Sequence, residues 1–194
     1  MDGKNKILYH GSPINIQDGY LKPIGWSYHL RQNAVYITES RLMATSFAFF
    51  WRKHDGIKEL SFYDLETKQW KAVYILKSPD VLRGYIYEVK KPNVSPVEYI
   101  DDQTGDTFAE YKQGAKAIFA VTEEIKILKK QIVNYDYLKT INFPAIIVSL
   151  KKQYDFEQAT QQIEQMFKKI DKTSVNKEKK DKYMQVLETY TERQ

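Results

Sequence analysis

Ile7-Leu8-Tyr9-His10-Gly11-Ser12-Pro13 sets a histidine directly after a short apolar run and directly before a Gly-Ser-Pro break. The run reads as a strand, Lys6–His10, and the break as the turn that ends it. Gly11 has no side chain, so its backbone is free to approach a ligand closely. His10 beside it donates or accepts a hydrogen bond, and Ser12 adds a hydroxyl. Alone, the stretch is a strand-to-turn junction, and its meaning depends on what surrounds it.

Working outward, β-branched and aromatic runs recur between turn signals: Ala34–Thr38, Ala72–Leu76, Gly84–Val89, Val97–Ile100, Ala117–Val121, Glu124–Leu128 and Ala145–Leu150 all read as strands. Between the second and third strands lies Ser40–His54, with Ser40 as an N-cap and Met43, Phe47 and Phe50 at helical spacing. Its last turn is basic, as the helix dipole favours, and His54 suits that position. The order strand, loop, strand, helix, then many strands does not alternate as βαβα. It predicts an α+β domain with a largely antiparallel sheet over 1–150. From Tyr154 the chain changes character. Ile163, Phe167 and Ile170, then Tyr183, Val186, Leu187 and Tyr190, mark two amphipathic helices separated near Thr173–Asn176. The expectation is a C-terminal helical extension, 151–194, packed through a narrow apolar stripe on the main domain, or else on a partner protein.

Composition narrows the function classes. The 194 residues are 42% apolar, enough for a packed core. Without cysteine, disulfides, thiolate metal sites and a cysteine nucleophile are excluded. Three histidines, His10, His29 and His54, make a multi-histidine metal site unexpected, so no metal is assigned. No segment approaches the roughly 18 apolar residues of a membrane span, and no hydrophobic signal core is seen near Met1, so a cytoplasmic protein is expected. The net charge of +5, from 30 basic and 25 acidic residues, permits nucleic acid but does not argue for it. The 15 tyrosines, 9 phenylalanines and 3 tryptophans fill a core or line a pocket that stacks flat rings.

Two further segments bear chemistry. In Asn33–Phe50, Tyr36 emerges from a strand and Phe47 lies on the next helix, so the two face each other across a planar ring or else Phe47 belongs to the core with Met43 and Phe50. In Ala117–Asn134, Glu123 and Glu124 interrupt an apolar strand pattern. Successive strand residues point to opposite faces, so one carboxylate looks toward a cleft unless the pair sits at an exposed strand end. There is no Walker loop, G-x-S-x-G or G-x-G-x-x-G.

Together, His10-Gly11-Ser12, Val35-Tyr36-Ile37 with its following helix, and Thr122-Glu123-Glu124-Ile125 resemble the ADP-ribosyltransferase superfamily. The class concerned is the H-Y-E class of poly(ADP-ribose) polymerases and, more distantly, rifampicin ADP-ribosyltransferase. The likeness spans roughly residues 6–150, with no counterpart for the tail. It implies a fold of split antiparallel sheets with flanking helices and an NAD cleft between them. It also implies that His10 bonds an adenosine-ribose hydroxyl, that the Gly11 backbone holds the carboxamide with Ser12 nearby, and that Tyr36 stacks on nicotinamide. Phe47 would sit where a second aromatic often stands, and Ala44 where many polymerases carry a serine. Glu123, with Glu124 as the alternative, would be the carboxylate that stabilises the charge developing on the ribose carbon.

The expectation is therefore a bacterial or mobile-element mono-ADP-ribosyltransferase, with toxin action among the possibilities. It would use NAD as ADP-ribose donor and transfer to an unidentified acceptor. A non-catalytic NAD- or ADP-ribose-binding module of the same fold, and an interaction protein docking a partner through its tail, are the alternatives. His29 is expected in a loop at the cleft mouth, in contact with NAD or solvated.

Overall fold

The computed structural model describes residues 6–49, 56–175 and 178–192. In chain order the elements are β1 (Ile7–Ser12), β2 (Tyr20–Leu21), β3 (Gly25–Ser27), β4 (Gln32–Thr38), α1 (Arg41–Phe49), β5 (Ile57–Asp64) and β6 (Gln69–Leu76). They continue with β7 (Arg83–Lys90), β8 (Glu98–Ile100), β9 (Thr107–Phe108), β10 (Lys116–Val121), β11 (Ile125–Asn134) and α2 (Tyr135–Thr140). The last are β12 (Ile146–Leu150), α3 (Phe156–Thr173), α4 (Lys179–Tyr190) and β13 (Thr191–Glu192). This is a mixed α+β chain with mostly antiparallel sheets, and among the described residues no helix is long and apolar enough to cross a membrane.

The chain divides into two compact units, one of Met1–Arg52 with Arg83–Leu138, the other of Lys53–Leu82 with Lys139–Gln194. The border expected at residue 150 coincides with neither. The tail helices share a unit with the strands of 57–76 and 146–150, because their apolar stripe needs an apolar sheet face to cover it.

In the first unit the strands run in the order β2-β11-β7-β1-β4-β10-β8-β9, with β3 added on β4. One face of this sheet carries Leu8, Val35, Ile37, Tyr85, Tyr87, Val89, Phe119 and Val121 in a single apolar cluster. The other face receives α1. Ser40 caps that helix as its sequence predicts, its Oγ accepting from the Met43 N–H at 2.9 Å. The buried side of α1 is Ala44, Thr45, Ala48 and Phe49 rather than the stripe of Met43, Phe47 and Phe50 read from spacing. The reason is close approach. A Cβ built on Gly11 would lie 1.7 Å from the Ala44 carbonyl oxygen, and one on Gly84 would lie 2.4 Å from that of Ala48. Two glycines on β1 and β7 thus seat two alanines of the helix, and Met43 and Phe47 turn toward the adjacent cavity. Phe50, Trp51 and His54 lie outside the described residues.

Tyr87 fastens the chain that leaves β1. Its buried hydroxyl accepts from the Ile16 N–H at 2.7 Å and donates to the Ile14 carbonyl at 2.8 Å. Tyr87→Phe leaves both backbone groups without this partner, and unsatisfied buried polar groups cost about 1–3 kcal/mol. The expected result is a denaturant midpoint lowered by that amount with an unchanged m-value.

In the second unit the order is β13-β12-β6-β5, with β12 parallel to β6 and the other pairs antiparallel. Ile163, Phe167 and Ile170 of α3 and Tyr183 and Leu187 of α4 cover Phe62, Val73, Ile75, Val148 and Leu150 of the sheet. Asp155 caps α3, accepting from the Gln158 N–H at 3.0 Å. The two tail helices and their apolar stripes stand as the spacing predicts, packed within the chain.

Candidate functional site

Antiparallel strands keep their ladder only while their backbones stay in step, and β1 and β4 do so at one position, Tyr9 opposite Thr38. Beyond that pair the strands part. His10 spans the opening, its Nδ1–H donating to the Tyr36 carbonyl at 2.7 Å in place of a ladder bond. On the other side of β4, β10 continues the sheet, with Ile118 opposite Thr38, and β8 follows, with Glu98 opposite Ile118. Directly paired residues share a face, so Tyr9, Thr38, Ile118 and Glu98 form one row across four strands, and all four line a cavity.

That cavity has a volume of about 580 Å³ and is mostly apolar. Its size is within the range usual for small-molecule and cofactor sites, roughly 300–1,000 Å³. His10, Gly11, Ser12, Tyr36, Ala44 and Phe47 all line it, brought together from β1, β4 and α1. All of them belong to the first compact unit.

The roles differ in detail from the sequence reading. The missing side chain of Gly11 faces α1, so the glycine seats the helix as well as lining the cavity. The Ser12 hydroxyl accepts from the Ile14 N–H at 3.1 Å and closes the turn at Pro13. The Tyr36 hydroxyl is hydrogen-bonded to the fully buried Ser27 Oγ at 2.7 Å, which fixes the ring against the wall. Ser27 in turn accepts from the Leu30 N–H at 3.3 Å, tying the turn after β3 to Tyr36.

His10 has a defined protonation state. A carbonyl only accepts, so Nδ1 carries the proton, and in the neutral ring Nε2 is left as an acceptor. Burial pushes the His10 pKa below its ordinary value, against the smaller opposing effect of the bond to Tyr36. The sign for stability follows. Above about pH 6.5 folded and unfolded chains both hold the ring neutral. Below it the unfolded chain takes up a proton that the folded chain refuses, so stability falls with pH, by at most about 1.4 kcal/mol per unit, until the folded pKa is reached. Unfolding measured at pH 7.5 and 5.5 is expected to show a larger loss for wild type than for His10→Gln.

Glu123 and Glu124 do not line the cavity, although Glu124, after Asp18, is near enough to Lys22 on its rim to favour that lysine's charged form. Both are exposed in the bend between β10 and β11, which starts only at Ile125, so they occupy the exposed strand end that competed with the cleft reading. Two carboxylates line the cavity, Asp18 and, in the row across the four strands, Glu98. Glu98 Oε1 lies 3.6 Å from Nε2 of His29, and each side chain is about one-third exposed. The His29 ring meets Tyr36 edge-on, with centroids 6.4 Å apart at 66°. Glu98 did have a sequence signal: it is the single charge in Val97-Glu98-Tyr99-Ile100, on the face opposite Tyr99.

The mouth is apolar and aromatic. Ile14, Ile24, Trp26 and Tyr28 line it while staying exposed, Tyr28 at 85%. Lys22, the lysine of the lining, pairs with Asp18 at 2.5 Å. Comparison with protein-family models, with curated proteins and with solved structures finds no match for the chain.

Proposed function

We propose that the chain is an NAD-dependent mono-ADP-ribosyltransferase of the split-sheet type, acting where β1 and β4 part. The observation that carries this reading is the convergence of His10, Gly11, Ser12, Tyr36, Ala44 and Phe47, from three separate segments, on one cavity of about 580 Å³. In this reading the Nε2 acceptor of His10 takes a ribose hydroxyl, and the Tyr36 ring, fixed by Ser27, lies against nicotinamide. Lys22 meets the diphosphate by exchanging its partner Asp18 for it.

The carboxylate role passes from Glu123 and Glu124 to Glu98. Cleavage of the nicotinamide–ribose bond sends the bonding pair to the ring nitrogen and leaves positive charge on the ribose carbon. A carboxylate already in place stabilises that charge where it develops, without reorganisation in the transition state. On the sequence reading alone, the setting is cytoplasmic, and no step calls for a metal.

The test is release of nicotinamide from NAD by the wild-type chain, followed together with NAD binding. Steady release supports the transferase reading. Binding without release would make the chain a non-catalytic NAD-binding module, and neither would set the NAD reading aside.

A further inference from the structure

His29 lies beside Tyr28, an exposed residue of the cavity mouth. It lines the same cavity as Tyr36 and Glu98, contacts Tyr36 edge-on, and keeps about one-third of its side chain exposed. Its position is not that of a free loop residue, because the turn holding it is tied through Ser27 to both Leu30 and Tyr36. Its Nε2 lies 3.6 Å from Glu98 Oε1. An Nε2–H facing a carboxylate leaves Nδ1 with a lone pair, and the carboxylate is in place to balance the charge once Nδ1 takes a proton.

Resting on the NAD reading above, we propose that His29 is the general base that activates the acceptor, with Glu98 as its partner, and that the acceptor presents a hydroxyl group. A carboxylate acceptor carries no proton to remove, and an arginine side chain holds its protons too tightly for an imidazole. The step balances as follows. The hydroxyl oxygen bonds to the ribose carbon while the carbon–nitrogen bond to nicotinamide breaks, its electron pair going to the ring nitrogen. The hydroxyl proton passes to His29 Nδ1. NAD and an alcohol give the ADP-ribosyl product, neutral nicotinamide and one proton. Oε1 of Glu98 lies 3.6 Å from His29, so the carboxylate stands beside the ring as it takes the proton.

Water is the simplest hydroxyl acceptor and azide a nucleophile with no proton to lose, so the pair isolates the base. Nicotinamide release and products are measured for wild type, His29→Ala and His29→Gln, in buffer and with added sodium azide, alongside NAD binding. The expected result is NAD affinity within about twofold of wild type and hydrolysis slower by about 100-fold or more in both variants. Azide is expected to restore release and to yield ADP-ribosyl azide. Hydrolysis at the wild-type rate in either variant overturns the proposal, as does slow release that azide leaves unchanged, or loss of NAD binding in both variants. Wild type that releases no nicotinamide fails the transferase reading, and the proposal with it, whereas an active wild type with unaffected variants fails only the role of His29.

Discussion

Glu98→Gln is expected to release nicotinamide from NAD about 10²–10³-fold more slowly than wild type, with NAD affinity changed little. Glutamine keeps the size and the hydrogen-bonding oxygen of the side chain but removes the charge. A fixed charge that matters only in the transition state lowers kcat rather than binding. Loss of one preorganised stabilising group costs about 2.7–4 kcal/mol in barrier, which is the factor stated. Glu123→Gln and Glu124→Gln, which alter exposed carboxylates outside the cavity lining, are expected to stay within about twofold of wild type in nicotinamide release. A Glu98→Gln chain as fast as wild type, with either of the other two slowed, would return the carboxylate role to the bend.

Gly11→Ala is expected to cost more stability than any surface change. The new methyl group would meet Ala44 O at 1.7 Å and Ala48 N at 2.9 Å, and both are backbone atoms of α1. No rotamer change relieves a clash between a Cβ and a backbone, so α1 must shift away from β1. Overpacking in a well-filled core typically costs about 1–3 kcal/mol, and a contact this short belongs at the upper end or beyond. Because α1 carries Met43, Ala44 and Phe47 to the cavity, NAD affinity should fall as well. Gly25→Ala provides the contrast: it too lines the cavity, but an added Cβ would find its nearest neighbour, the Ala34 carbonyl oxygen, at an ordinary 3.7 Å. Its denaturant midpoint should stay close to wild type.

What the sequence disclosed, and what it hid, follows from the kinds of interaction involved. Strands that are nearly continuous apolar runs, such as Ala34–Thr38 and Ala117–Val121, were legible because both of their faces are largely buried, one of them in a single apolar cluster. β5 was hidden because its inward face is not apolar throughout. Lys58 reaches Glu164 at 2.5 Å, and the buried Asp64 lies 3.4 Å from Lys180, so two charged residues point toward the helices and break the period of two. β11 ran longer than expected, to Asn134, because its partner β7 keeps it paired down to Arg83 despite a register shift between Ile127 and Lys129. The site was half legible. His10 and Tyr36 stand out as polar and aromatic groups beside turn signals. Ser27 does not, and for His29, read at the cleft mouth, and Glu98, the single charge of its strand, the sequence hides the pairing: Ser27 touches Tyr36 and Glu98 lies near His29 through contacts between segments that sequence order leaves apart. The helix face was misjudged by one position for a related reason. Spacing favours the largest apolar residues, whereas the glycines of β1 and β7 admit only the alanines.

NAD is proposed to sit in the opening between β1 and β4. A crystal structure of the chain grown with NAD tests this most directly. The nucleotide is expected within that opening, with a ribose hydroxyl in hydrogen-bond reach of His10 Nε2 and the nicotinamide ring against Tyr36. NAD bound elsewhere on the chain, or an empty opening at saturating NAD, would contradict this placement.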